Sequence, residues 1–152
     1  NGKLMIFAIV LNVFAGVGAF LFGFIDDYVG GKKTVQLTNF GFIIALVIAF
    51  LAPNLENGEA YFWVSGILIG IFMGPNQAAS RSLMGRLIPE NKENEFYGFF
   101  AFSGKATAFL GPLLFTLVIG YTNSMRISLL MLAFLFLIGM ILLRNVKDPE
   151  LH

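Results

Sequence analysis

The sequence has no cysteine, and its single histidine is the terminal residue His152. Without cysteine there are no disulfides, no thiolate-bound zinc and no thiol nucleophile. No H-E-x-x-H or P-loop pattern occurs either. An enzyme is therefore not expected, and no catalytic residue, metal ligand or cofactor-binding residue is assigned. Charge is also scarce: 12% of the residues are charged, against about a quarter in an ordinary soluble domain. The net charge is +1 and the Lys and Arg residues are scattered, which gives no footing for a nucleic-acid partner.

What the chain does have is apolar length. Of its 152 residues 57% are hydrophobic, with 18 Phe and 17 Gly. That is too little polar surface to cover a soluble fold, whereas a bilayer solvates apolar side chains and tolerates Gly in its helices. Five stretches approach the length of about 20 apolar residues that a helix needs to cross the hydrocarbon core. They are Leu4–Ile25, Val35–Ala52, Ala60–Ser80, Phe96–Tyr121 and Met125–Leu143. The joints Asp26–Lys33, Pro53–Glu59, Arg81–Glu95 and Thr122–Ser124 are short, so residues 1–152 read as a single transmembrane unit. The chain opens at Asn1 and enters an apolar run that lacks an A-x-A cleavage site. It is expected to be a fragment of something larger, and not to begin with a signal peptide.

Basic residues orient the spans. Lys32, Lys33, Arg81, Arg86, Lys92, Arg144 and Lys147 fall on one side, and only Lys3 and Arg126 on the other. This predicts an integral, multi-pass protein with the fragment's N-terminus outside and its C-terminus cytoplasmic. A plasma or inner membrane is expected, with a vacuolar-type membrane as the alternative.

Small residues mark where helices approach closely. Gly66, Gly70 and Gly74 recur every four residues in the third span, and Ala15, Ala19 and Gly23 in the first. Such stripes suit plain packing, or an interface that slides in a moving protein. Gly74–Pro75 and Gly111–Pro112 place a helix kink in the third and fourth spans.

Polar residues concentrate in the first, third and fourth spans: Asn12, then Asn76 and Gln77, then Ser103 and Lys105. These spans are expected to line a cavity, and the second and fifth to face lipid. Lys105 is the sharpest feature. It lies about 16 Å beyond Asn94 along a helix, where a charge costs at least about 2.5 kcal/mol unless it meets a partner or water. Two readings stay open: a contact for an anion or carboxylate in a transport cavity, or a structural ion pair or snorkelling side chain. Glu93 and Glu95 are expected to form a cytoplasmic charge cluster with Arg81 and Arg86.

The run Gly23-Phe-Ile-Asp-Asp27-Tyr-Val-Gly30-Gly-Lys32-Lys33 resembles the signature loop of the major facilitator superfamily. Gly74-Pro-Asn-Gln77 with Ser80-Arg81, Glu95-Phe-Tyr-Gly98, Gly104-Lys105 and Gly111-Pro112 is similar to the superfamily's vacuole-effluxer-like branch. The resemblance implies an all-α membrane protein whose five transmembrane helices are helices eight to twelve, forming most of the C-terminal six-helix bundle. It implies that Gly23, Asp27, Gly30, Lys32 and Lys33 form a conformational latch against the missing N-terminal half of the chain. It further implies a secondary-active or facilitative transporter that moves a small solute, amino acids among the candidates, by alternating access. The expected partners are that solute, the lipid bilayer and the missing half. The competing expectation is a membrane sensor or assembly subunit that transports nothing. Two features depart from the family pattern: Asp26 and Asp27 are paired, and no carboxylate lies near the midplane of any span.

Overall fold

The computed structural model describes residues 2–147. They form five α-helices and no strand: α1 (Gly2–Val29), α2 (Gly31–Leu51), α3 (Gly58–Leu87), α4 (Glu93–Thr122) and α5 (Met125–Arg144). A 3-10 turn, Ala52–Asn54, extends α2. His152 lies outside the described residues.

The helices run further than the apolar stretches, and the joints shrink accordingly. The expected loop Asp26–Lys33 is a correction: Gly23 and Asp27 lie in α1, Lys32 and Lys33 in α2, and only Gly30 interrupts. Gly30 has φ 86°, ψ 154°, a conformation that costs a residue without Cβ little. Its N–H closes α1 on the Asp26 carbonyl at 3.0 Å, and its carbonyl opens α2 by accepting the Thr34 N–H at 3.1 Å. The third joint shortens in the same way. Arg81, Ser82 and Arg86 continue α3, which stops at Leu87 because Pro89 drives Ile88 into extended backbone. Asn123, left-handed at φ 50°, ends α4 by donating its N–H to the Ile119 carbonyl at 2.8 Å.

Four of the described helices, α1, α2 with its 3-10 turn, α4 and α5, are long and apolar enough to cross a membrane. α3 is as long as α4, at 30 residues, but its second half is diluted by Asn76, Gln77, Ser80, Arg81 and Ser82. It is flanked by α1 on one side and α2 on the other. Protein neighbours therefore take up part of the polarity that lipid would reject.

The packing order is α1–α3–α2–α5–α4, with α1 also touching α2. The centre lies on α2, where Phe42 stacks on Phe136 of α5 at 4.8 Å and meets the edge of Phe72 of α3 at 6.4 Å. The expectation that the second span simply faces lipid needs correcting. α2 is the most enclosed of the candidate spans. One stripe, from Gly31 through Thr38, Phe42 and Ala45 to Ala49, is buried, while Leu37, Phe40, Ile44, Val47 and Leu51 are exposed on the other. At the opposite extreme, no described residue of α4 is buried.

Candidate functional site

The third-span glycines bring α1 and α3 together. A Cβ at Gly70 would lie 2.8 Å from the Leu11 carbonyl oxygen, and one at Gly74 2.5 Å from that of Ala15; at Gly66 it would run into the Phe7 ring. Pro75, buried in α3, lacks an N–H, so the Ile71 carbonyl loses its helical donor. That carbonyl presses on Gly18 of α1, where any side chain would collide with it. Gly18 was not singled out by sequence, because its partner is a backbone atom exposed by a proline on a different helix.

The polar candidates do not gather at one place. Asn76 donates to Thr38 Oγ1 at 2.8 Å and to Asn39 Oδ1 at 2.9 Å, so its amide belongs to the α2–α3 seam. Ser65 stitches the same seam through the Ala45 carbonyl at 2.8 Å. Ser103 is half-buried and Gln77 exposed. Asn12 is exposed on α1 and donates to its own helix at Ala8 O, 2.8 Å away. It shares its side of α1 with Gly16 and Gly23, where an added Cβ would meet nothing. An apolar cavity of about 140 Å³ lies between α1, α2, α3 and α5, lined by Phe7, Leu11, Leu46, Ala49 and Leu129 among others. Ser65 lines it, but Asn12, Asn76, Gln77, Ser103 and Lys105 do not.

Lys105 stands apart. It lies about 18 Å along α4 from Glu93, is exposed, and shares its face with Gly98, Ala101, Ala108, Pro112 and Thr116, all exposed. No acid pairs with it among the described residues. Ser103 is turned about 160° away around the helix. Gly111 and Pro112 border an apolar recess that reaches Phe115 of the same helix and Leu132 of α5.

At the base-rich end the charges pair differently from expectation. Arg86 turns to Asp26, not to Glu93 and Glu95; the ion pair spans 3.8 Å, with the side chains 27% and 19% exposed. Arg86 also donates to Ser82 Oγ at 3.0 Å. Asp26 Oδ1 and Arg86 Nη1 are buried with no hydrogen-bond partner among the described residues. The physical reason is position: Asp26 lies near the C-terminus of α1, where the helix dipole opposes an anion, and a cation beside it offsets this. Glu93 and Glu95 lie in the first turn of α4, where the dipole already favours them. Asp27 and Lys33 are exposed. Lys32 donates to the carbonyls of Arg144, at 2.9 Å, and Val146, capping the end of α5.

At the other end Lys3 and Glu59 form an exposed pair at 2.8 Å, outside the apolar spans. The hydrogen bond and charge of Lys3 hold the Glu59 carboxyl below its ordinary value, and Glu59 in turn raises Lys3.

Residues 1–149 match the family described as vacuole effluxer Atg22 like. An MFS-type transporter of Bacillus subtilis, the uncharacterized YxiO, is 28% identical over 148 residues, 97% of this chain and 34% of the relative. Autophagy-related protein 22 of Kluyveromyces lactis is 37% identical over 76 residues, 50% of this chain and 15% of the relative. The protein of that name from Vanderwaltozyma polyspora is 31% identical over 105 residues, 68% of this chain and 20% of the relative. The chain thus spans about a third or less of the length of these curated relatives. No solved structure matches it. With all but its last three residues matched, and with long apolar helices to carry the match, the chain belongs to the vacuole effluxer Atg22-like family, a branch of the major facilitator superfamily of membrane transporters.

Proposed function

We propose that this chain is the C-terminal portion, helices eight to twelve, of a carrier that moves a small solute across a membrane by alternating access. In this reading α1 to α5 all span the bilayer and make up most of the C-terminal six-helix bundle. The base-rich end is cytoplasmic, and the cavity closes only against the missing N-terminal half. Amino acids are the solute class we favour. Lys105 carries the proposal: a cation partway along an apolar helix, exposed and without an acid partner among the described residues, is expensive in a bilayer unless water or an anionic group reaches it. Asn12 and Gln77, also exposed, are the candidates for further cavity contacts.

The test is solute counterflow in proteoliposomes holding the full-length protein. Lys105→Gln is expected to cut flux at least about tenfold, as removal of a charged contact does, with normal expression. Normal flux by that variant would remove Lys105 from the path. Absence of counterflow for every solute tried would favour a sensor or assembly subunit instead.

A further inference from the structure

Among the described residues two prolines lie inside α-helices, Pro75 in α3 and Pro112 in α4. Each lacks an N–H, so each releases the carbonyl four residues earlier from its helical bond. The two released carbonyls meet different fates. That of Ile71 is covered by Gly18 of the neighbouring helix. Ala108, Pro112 and Lys105 are all exposed residues of α4, and helix geometry directs the Ala108 carbonyl to the same side, toward Pro112. An added Cβ at Gly104 or Gly111, on either side of this stretch, would also meet nothing within 4 Å.

Lys105 and Ala108 are three residues apart, hence about one turn and about 4.5 Å of helix rise. One is a fixed cation and the other a carbonyl stripped of its donor. A carbonyl left bare in an apolar setting is costly, comparable to a lost hydrogen bond, and an ammonium group is the donor that satisfies it best. We infer that Lys105 and the Ala108 carbonyl form a two-point site for a zwitterion: the lysine ammonium takes the solute's carboxylate, and the bared carbonyl takes its ammonium group. This rests on the carrier reading above and deepens it by assigning the solute's amino group to a backbone acceptor that Pro112 creates. Pro112 is then a positioning residue, since it acts through the carbonyl and not by touching the solute.

The test is made on the full-length protein in proteoliposomes. Counterflow of the twenty standard amino acids identifies the best-carried one. Inhibition of its flux is then compared for three competitors: the unlabelled amino acid, its deaminated carboxylic acid and its decarboxylated amine. The wild type is expected to prefer the intact zwitterion over either fragment by about ten- to a hundredfold, the range of a charge-assisted hydrogen bond. Pro112→Ala returns an N–H to the Ala108 carbonyl. It is expected to abolish the preference over the deaminated acid while keeping the preference over the amine. Pro112→Gly returns the same N–H and leaves the helix free to bend; it gives the same readout if Pro112→Ala does not reach the membrane. Lys105→Gln is expected to do the opposite, abolishing the preference over the amine alone.

Unchanged discrimination in both Pro112 variants overturns the inference. So does a wild type that treats the zwitterion and its deaminated acid alike. If no amino acid is carried but another class of solute moves in a Lys105-dependent way, the two-point site is overturned and the carrier stands. If flux ignores Lys105 altogether, the carrier assignment of α4 fails with it, and a further helix of the protein, or lipid, covers that face instead.

Discussion

The Arg126 guanidinium at the start of α5 donates two hydrogen bonds to the Phe50 carbonyl at the end of α2, at 2.9 and 3.2 Å, and lies 5.0 Å from the Phe50 ring centroid. At the far end of the same antiparallel pair, Lys32 of α2 caps the last carbonyls of α5. Each helix thus opens with a cation that satisfies the frayed end of the other, where unpaired carbonyls and the negative end of the dipole would otherwise be exposed. Arg126→Leu is expected to lower stability by about 2 kcal/mol, summing charge-assisted bonds and the ring contact. Arg126→Lys should fall between, since an ammonium cannot reproduce the fork. Thermal unfolding in detergent checks both; a Leu variant as stable as wild type would show the clamp to be incidental.

Gly18 and Gly16 are two residues apart on α1 and should respond oppositely to alanine. At Gly18 the methyl collides with the Ile71 carbonyl, and at Gly16 it meets nothing. Gly18→Ala is expected to cost at least about 2 kcal/mol through displaced backbone. Gly16→Ala should be neutral or stabilising by about 0.5 kcal/mol through helix propensity. Equal unfolding midpoints for the two variants would contradict the α1–α3 packing.

Asp26 and Asp27 are neighbours with different environments. Asp26→Asn leaves Arg86 part-buried beside a neutral group and is expected to cost about 1 kcal/mol, a modest figure because the pair is long and partly solvated. Asp27→Asn, exposed, should leave stability unchanged. A double-mutant cycle with Arg86→Gln isolates the pair; zero coupling for Asp26 would mean the two side chains do not interact.

The Lys3–Glu59 pair sets a pH dependence of known sign. Glu59 is lowered from 4.5 in the folded chain, so its contribution is complete above that value and fades as pH falls through the lowered one. Lys3 is raised from 10.5, so its contribution is complete below that value and fades as pH rises through the raised one. Lys3→Met should therefore differ from wild type at neutral pH and converge on it at both extremes. The difference will be small, because the pair is exposed. A gap that widened in acid would contradict the assignment.

The chain's lack of cysteine makes it suited to single-cysteine labelling in a full-length protein stripped of any others. Asn57→Cys, in the α2–α3 connection, should react with an impermeant maleimide added outside intact cells. Asn91→Cys, in the α3–α4 connection, should react only after permeabilisation. The reverse pattern would invert the proposed orientation.

Hydropathy alone located the five helices, since each is built around a long apolar run, but it could not place their ends. Residues Arg81–Leu87 are polar enough to leave a bilayer yet fully compatible with helix, so only Pro89 halts them, and composition gave no sign of that. The signature around Gly30 reads as a loop for the same reason: charges suggest a turn, whereas one left-handed glycine suffices. Lys105 was legible because a lone cation in an apolar run stands out, and its face of small residues follows from helical spacing. The partner of Asn76 was not. Which neighbour receives an amide depends on how α2 and α3 are rotated about their axes, and that is set by the fit of Phe72 against Gly41. The choice of Asp26 over Asp27 by Arg86 is likewise a matter of helix phase, about 100° of rotation between adjacent residues.

The reciprocal capping of α2 and α5 has a consequence for the order in which the protein is made. Lys32 and its acceptors at the end of α5, the carbonyls of Arg144 and of Val146 just beyond it, are 112 and 114 residues apart, and α5 is the last of the described helices to leave the ribosome. Helices α1, α2 and α3 can meet as soon as the third has entered the membrane, because their seams use only one another. One flank of α2, where Phe42 stacks on Phe136 of α5, must wait for a helix not yet synthesised. Until α5 arrives Phe42 lacks the Phe136 ring it stacks on, so truncations ending before Met125 are expected to be less thermally stable in detergent than chains that include α5.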